Sequence, residues 1–176
     1  MLSDLNEILS VRREAAAPPE EISFAQELDH VMSSINETIS EQQLKVKADF
    51  SIAPVVNCPQ EIMHSILLNL ITNTIKYKKQ ATQPEINFTT NNNGEFIILK
   101  ARDEGIGMNL NKHGNRIFNL YQRFHPQIEG KGLGLYLVKT QVEKMGGKIV
   151  VESEENEGAT FSIYFRKNHY HAGGTH

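Results

Sequence analysis

The stretch Ile66-Leu67-Leu68-Asn69-Leu70-Ile71-Thr72-Asn73-Thr74-Ile75-Lys76-Tyr77 reads as an amphipathic helix. Met63, Ile66, Leu70 and Thr74 form an apolar stripe at helical spacing. Asn69, Asn73 and Lys76 fall at i, i+4 and i+7, so they share a face beside that stripe. A polar face of this kind ordinarily points to water. Asparagine, however, is a poor helix former because its amide competes for backbone hydrogen bonds, so two in mid-helix weaken the helix unless their amides bind something. Amide oxygens suit a hard cation such as Mg2+, and Lys76 would supply positive charge for phosphates. On this stretch alone, a solvated face and a ligand-binding face both stay open.

The helix that carries it is expected from about Gln60 to Lys79. Upstream, a short apolar patch at Ile22 to Phe24 precedes a helix pattern with Leu28, Val31, Met32, Ile35 and Ile39 on one face. Between the helices, Leu44 to Phe50 alternates strictly, the period of a half-buried strand. Downstream, Ile86 to Thr90 and Glu95 to Ala101 read as strands joined by Asn91-Asn92-Asn93-Gly94, residues that tolerate positive φ, hence a hairpin. From Asp103 to Gly130 the periodicity collapses into glycine, asparagine and histidine, which fits a functional lid or a disordered segment. A third helix from about Leu133 to Met145 ends at Gly146-Gly147, and strands at Lys148 to Glu152 and Thr160 to Phe165 follow. Interleaved helices and strands with hairpins predict an α+β two-layer sandwich, a mixed and mainly antiparallel sheet with helices on one face.

At the amino end, Leu2, Leu5, Ile8, Leu9 and Val11 recur at helical spacing in Met1 to Glu14, a stripe too short to be stable without a partner. Ala15-Ala16-Ala17-Pro18-Pro19 then breaks the pattern, because proline fixes φ and removes amide donors. The expected organisation is a helical stub at residues 1–17, a domain at 18–168 and a flexible tail at 169–176.

The 176 residues, 39% hydrophobic and 22% charged with a formal net charge of -3, fit one globular domain with a short appendage. The slightly acidic balance argues against sequence-independent nucleic-acid binding, which needs a concentrated basic surface. Cys58 is the single cysteine, so neither an intrachain disulfide nor a multi-thiolate metal cluster can form, and a reducing cytosol is the expected location. No apolar run approaches the ~18 residues of a membrane span, and no signal-peptide pattern is present, so no membrane contact is expected.

Three glycine-bearing stretches complete the candidates. Asp103-Glu104-Gly105-Ile106-Gly107-Met108 directly follows an expected strand. It is either a plain turn or a place where bare backbone admits a flat ligand while the Asp103 carboxylate accepts from an exocyclic amine. Gly130-Lys131-Gly132-Leu133-Gly134-Leu135 leads into the third helix, where exposed amides can cradle phosphate at the positive end of the dipole, or simply form a hinge. Its G-x-G-x-G spacing matches neither G-x-x-x-x-G-K-[ST] nor G-x-G-x-x-G, which disfavours those two nucleotide folds. Gly158-Ala159-Thr160-Phe161, a turn entering the last strand, carries no meaning by itself.

Taken in order, these stretches resemble the N, G1, F, G2 and final threonine boxes of the GHKL ATPases, which share the Bergerat fold with an ATP lid. The similarity is greatest to the catalytic ATP-binding domain of bacterial two-component sensor histidine kinases, and it covers about Glu21 to Phe165. Ile117-Phe118-Asn119-Leu120-Tyr121-Gln122-Arg123-Phe124 looks like the F box. Leu135 to Lys139 and Gly146 to Ile149 are similar to the corresponding ends of these kinases, particularly PAS-linked ones from Bacteroidetes.

The resemblance implies that the chain binds ATP and Mg2+. Asn73 would ligate Mg2+ with Asn69 beside it, and Lys76 and Tyr77 would contact phosphate and frame the nucleotide. Asp103 would accept from the adenine amino group, with Gly105 and Gly107 permitting approach. Arg123 would steady the γ-phosphate during transfer, the electrostatic work that dominates phosphoryl-transfer catalysis. Gly130, Gly132 and Gly134, with Leu133 between them, would let the lid close, and Thr160 would support the adenine-binding aspartate. Asn69, Lys76 and Arg123 are thus the implied catalytic residues. Hydrolytic relatives such as gyrase, the mismatch-repair protein MutL and the heat-shock chaperone carry glutamate where this chain has Asn69. An amide cannot act as a base toward water, so transfer to an already nucleophilic histidine fits better.

Two positions depart from the family pattern. Lys131 stands where threonine or a small residue is usual, and Glu104 replaces a common asparagine. Lys131 between two lid glycines is expected to add a phosphate contact. Family phosphoacceptor histidines lie on the first helix of a dimerising hairpin, and none of His30, His64, His113, His125, His169, His171 and His176 falls in Met1 to Glu14. The implied partners are therefore a histidine-containing hairpin supplied elsewhere and a downstream response regulator receiver domain. A degenerate nucleotide-binding or partner-docking module and an anti-sigma-factor-type serine kinase are the competing readings.

Overall fold

The computed structural model describes residues 17–119 and 134–167. Strand β1 (Glu20–Ser23) runs straight into helix α1 (Phe24–Ser34), because Ser23 accepts the Gln26 amide at 3.3 Å and caps the helix. β1 pairs antiparallel with β3 (Val55–Cys58) to form a two-stranded sheet. Helix α2 (Asn36–Gln42) closes at Gln43, whose φ of 52 lets its amide return to the Ser40 carbonyl. The five-stranded sheet has the order β2-β4-β5-β7-β6, built from β2 (Lys45–Asp49), β4 (Glu85–Asn92), β5 (Phe96–Asp103), β6 (Lys148–Glu154) and β7 (Gly158–Arg166). β2 pairs parallel with β4, and every other pair in this sheet is antiparallel.

Helices α3 (Gln60–Lys76) and α5 (Gly134–Lys144) lie with α1 over the inner face. Ile62, Met63, Ile66, Leu67, Leu70 and Ile71 of α3 are buried, as are Leu137, Val138 and Val142 of α5. The α3 side chains, with Val138 and Val142, share one core with Phe88, Leu99, Ile163 and Phe165 of the sheet. This burial decides why α3 tolerates two central asparagines. Each costs roughly 0.5 kcal/mol against alanine, whereas each buried aliphatic side chain contributes roughly 1.5–3 kcal/mol. Glu27 of α1, itself buried, adds a polar tie, accepting from Gln60 Nε2 at 3.2 Å and meeting His64 Nδ1 at 2.9 Å.

The α+β architecture agrees with the expectation, and the element boundaries differ for local reasons. The apolar face from Leu28 to Ile39 is two helices rather than one, because Ile35 leaves the helical region at φ -122 and ψ 27. β1 and β3 span 4 residues each, too few to display alternation. The helix expected to reach Lys79 stops at Lys76, where the Tyr77 amide returns to the Asn73 carbonyl and the Tyr77 carbonyl is taken by the Ile106 amide at 2.8 Å. The hairpin between β4 and β5 is present, its turn fastened by Asn93 Oδ1 accepting the Phe96 amide at 2.8 Å. Part of the aperiodic stretch is ordered: helix α4 (Leu110–His113) and a 3-10 turn (Gly114–Phe118) bury Ile117 and Phe118. The expected stub helix and the histidine-bearing tail lie outside the described residues, apart from Ala17 at the stub's end. Among the described residues no helix is long and apolar enough to cross a membrane.

Candidate functional site

The site begins on α3, where Asn69 and Asn73 are half-buried on successive turns. Asn69 Nδ2 donates to the Ser65 carbonyl at 2.8 Å, which leaves its Oδ1 turned toward α5. A Cβ placed on Gly134, the first residue of α5, would lie 2.7 Å from Asn69 Oδ1 and 3.9 Å from Asn73 Oδ1. Two amide oxygens from one helix therefore converge on the amino end of another. The first N–H groups of a helix have no intrahelical partner and form the positive pole of its dipole. Lys76 lies exposed on the last turn of α3, and half-buried Tyr77 caps it.

Asp103 ends β5 with its carboxylate partly sheltered, and Oδ1 accepts the Gly105 amide at 2.9 Å. Burial pushes this carboxyl above its ordinary value, and the backbone N–H groups of Gly105 and Ala159 hold it partly down. The loop that follows is locked on two sides. A side chain on Gly105 would collide with the Tyr77 carbonyl, and one on Gly107, at φ 63, would collide with the Glu154 carbonyl. The Cβ space at both glycines is thus filled by the protein's own backbone. Packing alone therefore demands glycine at both positions. The same loop is tied to the β6–β7 turn by Ser153, whose hydroxyl donates to the Gly158 carbonyl at 2.6 Å and accepts the Met108 amide at 2.9 Å.

Thr160 is not brought to Asp103. Directly opposed residues of antiparallel strands project to one face, and Asp103 opposes Ala159 while Arg102 opposes Thr160. Thr160 therefore shares the outer face with the exposed Arg102 and Glu152, whereas Asp103 shares the inner face with the buried Ala101 and Ala159. The support expected of the Thr160 hydroxyl is supplied instead by the Ala159 amide. Neither Ala159 nor Ser153 stands out in the sequence. Both act through backbone or a short hydroxyl at positions fixed only by strand pairing.

Arg123, Gly130, Lys131, Gly132 and Leu133 lie outside the described residues, as does most of the F box after Asn119. Among the described residues no group of three His, Cys, Asp or Glu side chains could hold a metal. Cys58 is buried and burial pushes its thiol up to about 12, so it offers no thiolate nucleophile. The two amide oxygens of Asn69 and Asn73 suit a divalent cation that brings most of its own ligands.

The family model described as "Histidine kinase-, DNA gyrase B-, and HSP90-like ATPase" matches residues 59–169. The chain is 33% identical over 159 residues to the methanogenesis regulatory histidine kinase FilI of Methanothrix harundinacea, covering 88% of this chain and 17% of that protein. It is 34% identical over 128 residues to the heme sensor protein HssS of Staphylococcus saprophyticus, covering 73% of this chain and 27% of that protein. The chain thus spans only a minor part of the length of these relatives. Its fold resembles the catalytic domain of histidine kinase ThkA, with a TM-score of 0.71 at 19% identity over 86% of this chain and 99% of that one. Full-length ShkA, solved in complex with AMPPNP, gives 0.74 at 23% identity over 94% of this chain and 36% of that one. With its boxes in order on an α+β sandwich, the chain belongs to the histidine kinase-, DNA gyrase B- and HSP90-like ATPases and carries a catalytic domain of the histidine kinase kind.

Proposed function

We propose that residues 18–168 bind Mg-ATP between α3, the Asp103 loop and the amino end of α5, and transfer the γ-phosphoryl group to a histidine on a separate dimerisation hairpin. The observation that carries this reading is the convergence of the Asn69 and Asn73 oxygens on Gly134. Asn73, with Asn69 beside it, would hold Mg2+ together with phosphate oxygens, which suits a cation that usually takes one or two protein ligands. When bound, Mg2+ would neutralise charge on the phosphates.

The chain's own groups would do the remaining work. Asp103 would accept from the adenine amino group and fix the base. Lys76 would meet phosphate from the end of α3, with Tyr77 framing the nucleotide. The α5 amino end would offer N–H groups to the phosphates, and Arg123 with Gly130, Lys131, Gly132, Leu133 and Gly134 would cover them. Asn69 cannot accept a proton from water, so no general base for hydrolysis stands at that position. Transfer to an imidazole needs none, since the nucleophile already has a lone pair.

Residues 1–17 would be the end of the hairpin helix, and a response regulator receiver domain would take the phosphoryl group onward in the cytoplasm. The test mixes this chain with a separately made histidine hairpin and γ-labelled ATP. Acid-labile label on the hairpin is expected. Acid-stable phosphoserine on a protein partner would replace this reading with a serine kinase, and nucleotide binding without transfer to any hairpin would reduce it to a binding module.

A further inference from the structure

We propose that Gln141 and Ser65 are positioning residues of the phosphate end of the site, setting where the amino end of α5 stands along α3; the inference rests on the nucleotide reading above. Gln141 is a fully buried amide in the middle of α5. Its Nε2 donates to Ser65 Oγ at 3.3 Å and its Oε1 accepts from the same hydroxyl at 3.4 Å. Ser65 stands one turn before Asn69 on α3, and its carbonyl and hydroxyl take Asn69 Nδ2 at 2.8 Å and 3.5 Å. A second contact between the same two helices lies two turns away along α5, where Gly134 abuts Asn69 Oδ1.

Among the described residues the α3–α5 contact therefore has a polar point, Ser65 with Gln141, and a close approach, Asn69 against Gly134. Apolar packing between helices is non-directional and permits axial sliding. A buried amide that must keep its partners does not, because an unsatisfied buried polar group is costly. The Ser65–Gln141 bond thus pins α5 lengthwise, and the same serine orients the Asn69 amide, so that its oxygen faces the α5 amino end. Neither residue touches the place where adenine is read, which lies at Asp103.

This separation gives a readout that general destabilisation would not move. Affinities of the parent, Gln141→Leu, Ser65→Ala and the double variant are measured for Mg-ATP by calorimetry and for adenosine by shift titration. Leucine keeps the buried volume of residue 141, and alanine is the better helix former at residue 65, so Ser65→Ala carries the test if Gln141→Leu does not fold. Each single variant is expected to weaken Mg-ATP about tenfold, the scale of one lost hydrogen bond at a preorganised site, with adenosine unchanged. The double variant is expected to be no worse than the worse single, because the two residues act as a pair. Equal loss for adenosine and Mg-ATP, or Mg-ATP binding as tight as the parent's, overturns the positioning role. A parent chain that binds no Mg-ATP overturns the nucleotide reading itself, and the inference with it.

Discussion

Asp103→Asn separates recognition from stability in opposite directions. In the parent, the carboxylate has about four lone-pair sites; the N–H groups of Gly105, at 2.9 Å, and Ala159 engage it from the protein side. The remaining capacity is available to an exocyclic amine. In the variant, one amide oxygen can still accept the Gly105 N–H, but the new NH2 group opposes the adenine amino group donor to donor. Loss of a hydrogen bond to a charged acceptor costs about 1.5–3 kcal/mol, which raises the Kd for Mg-ATP by roughly 10- to 150-fold. Guanine carries an oxo group where adenine carries the amine, so the same substitution narrows the preference for ATP over GTP.

Stability moves the other way. The folded-state value of Asp103 lies above its ordinary 3.8 because of burial. The folded chain thus keeps a proton that the unfolded chain has lost, and the contribution of this group to stability is full below 3.8 and is lost as pH rises through the folded value. Above the folded value the ionised Asp103 is a burden that asparagine removes. The unliganded variant should melt higher than the parent at neutral pH, with the gap closing on acidification. Nucleotide titrations with ATP and GTP, joined to urea melts across about pH 4 to 8, measure all three effects. A variant that binds ATP as the parent does, or that melts lower at neutral pH and regains stability in acid, refutes the reasoning.

Asn73→Ala should weaken ATP about tenfold or more with Mg2+ present, the loss of one ligand oxygen, and leave binding in excess EDTA unchanged; equal loss in both conditions would remove Asn73 from the metal. Gly158→Ala should destabilise the fold without any nucleotide present. Its φ is 82 and a Cβ would meet the Asp103 carbonyl, so left-handed strain and overpacking together cost on the order of 2–5 kcal/mol. An unchanged urea midpoint would contradict that packing.

What could be read from the chain, and what could not, divides by the range of the interaction. Asn69, Asn73 and Lys76 were legible because a helix period places them on one face whatever else the chain does, and the buried side of α3 is the side its stripe indicates. The Asp103 loop was legible as chemistry, since an acid and two glycines after a strand are a local signal. The packing demand on the glycines was not. Gly105 is fixed by the Tyr77 carbonyl and Gly107 by the Glu154 carbonyl, partners that only the tertiary fold supplies. The same limit explains Thr160. A hydroxyl beside a glycine turn draws attention, but the face it points to depends on the register of β7 against β5, and an offset of one residue reverses every face. Register belongs to two strands, so neither strand alone contains it. With Ala159 opposite Asp103, the group that steadies the carboxylate is a backbone N–H. Any residue except proline offers that donor. The support is therefore invisible to side-chain chemistry at this position, and it should survive Thr160→Val while failing in Ala159→Pro.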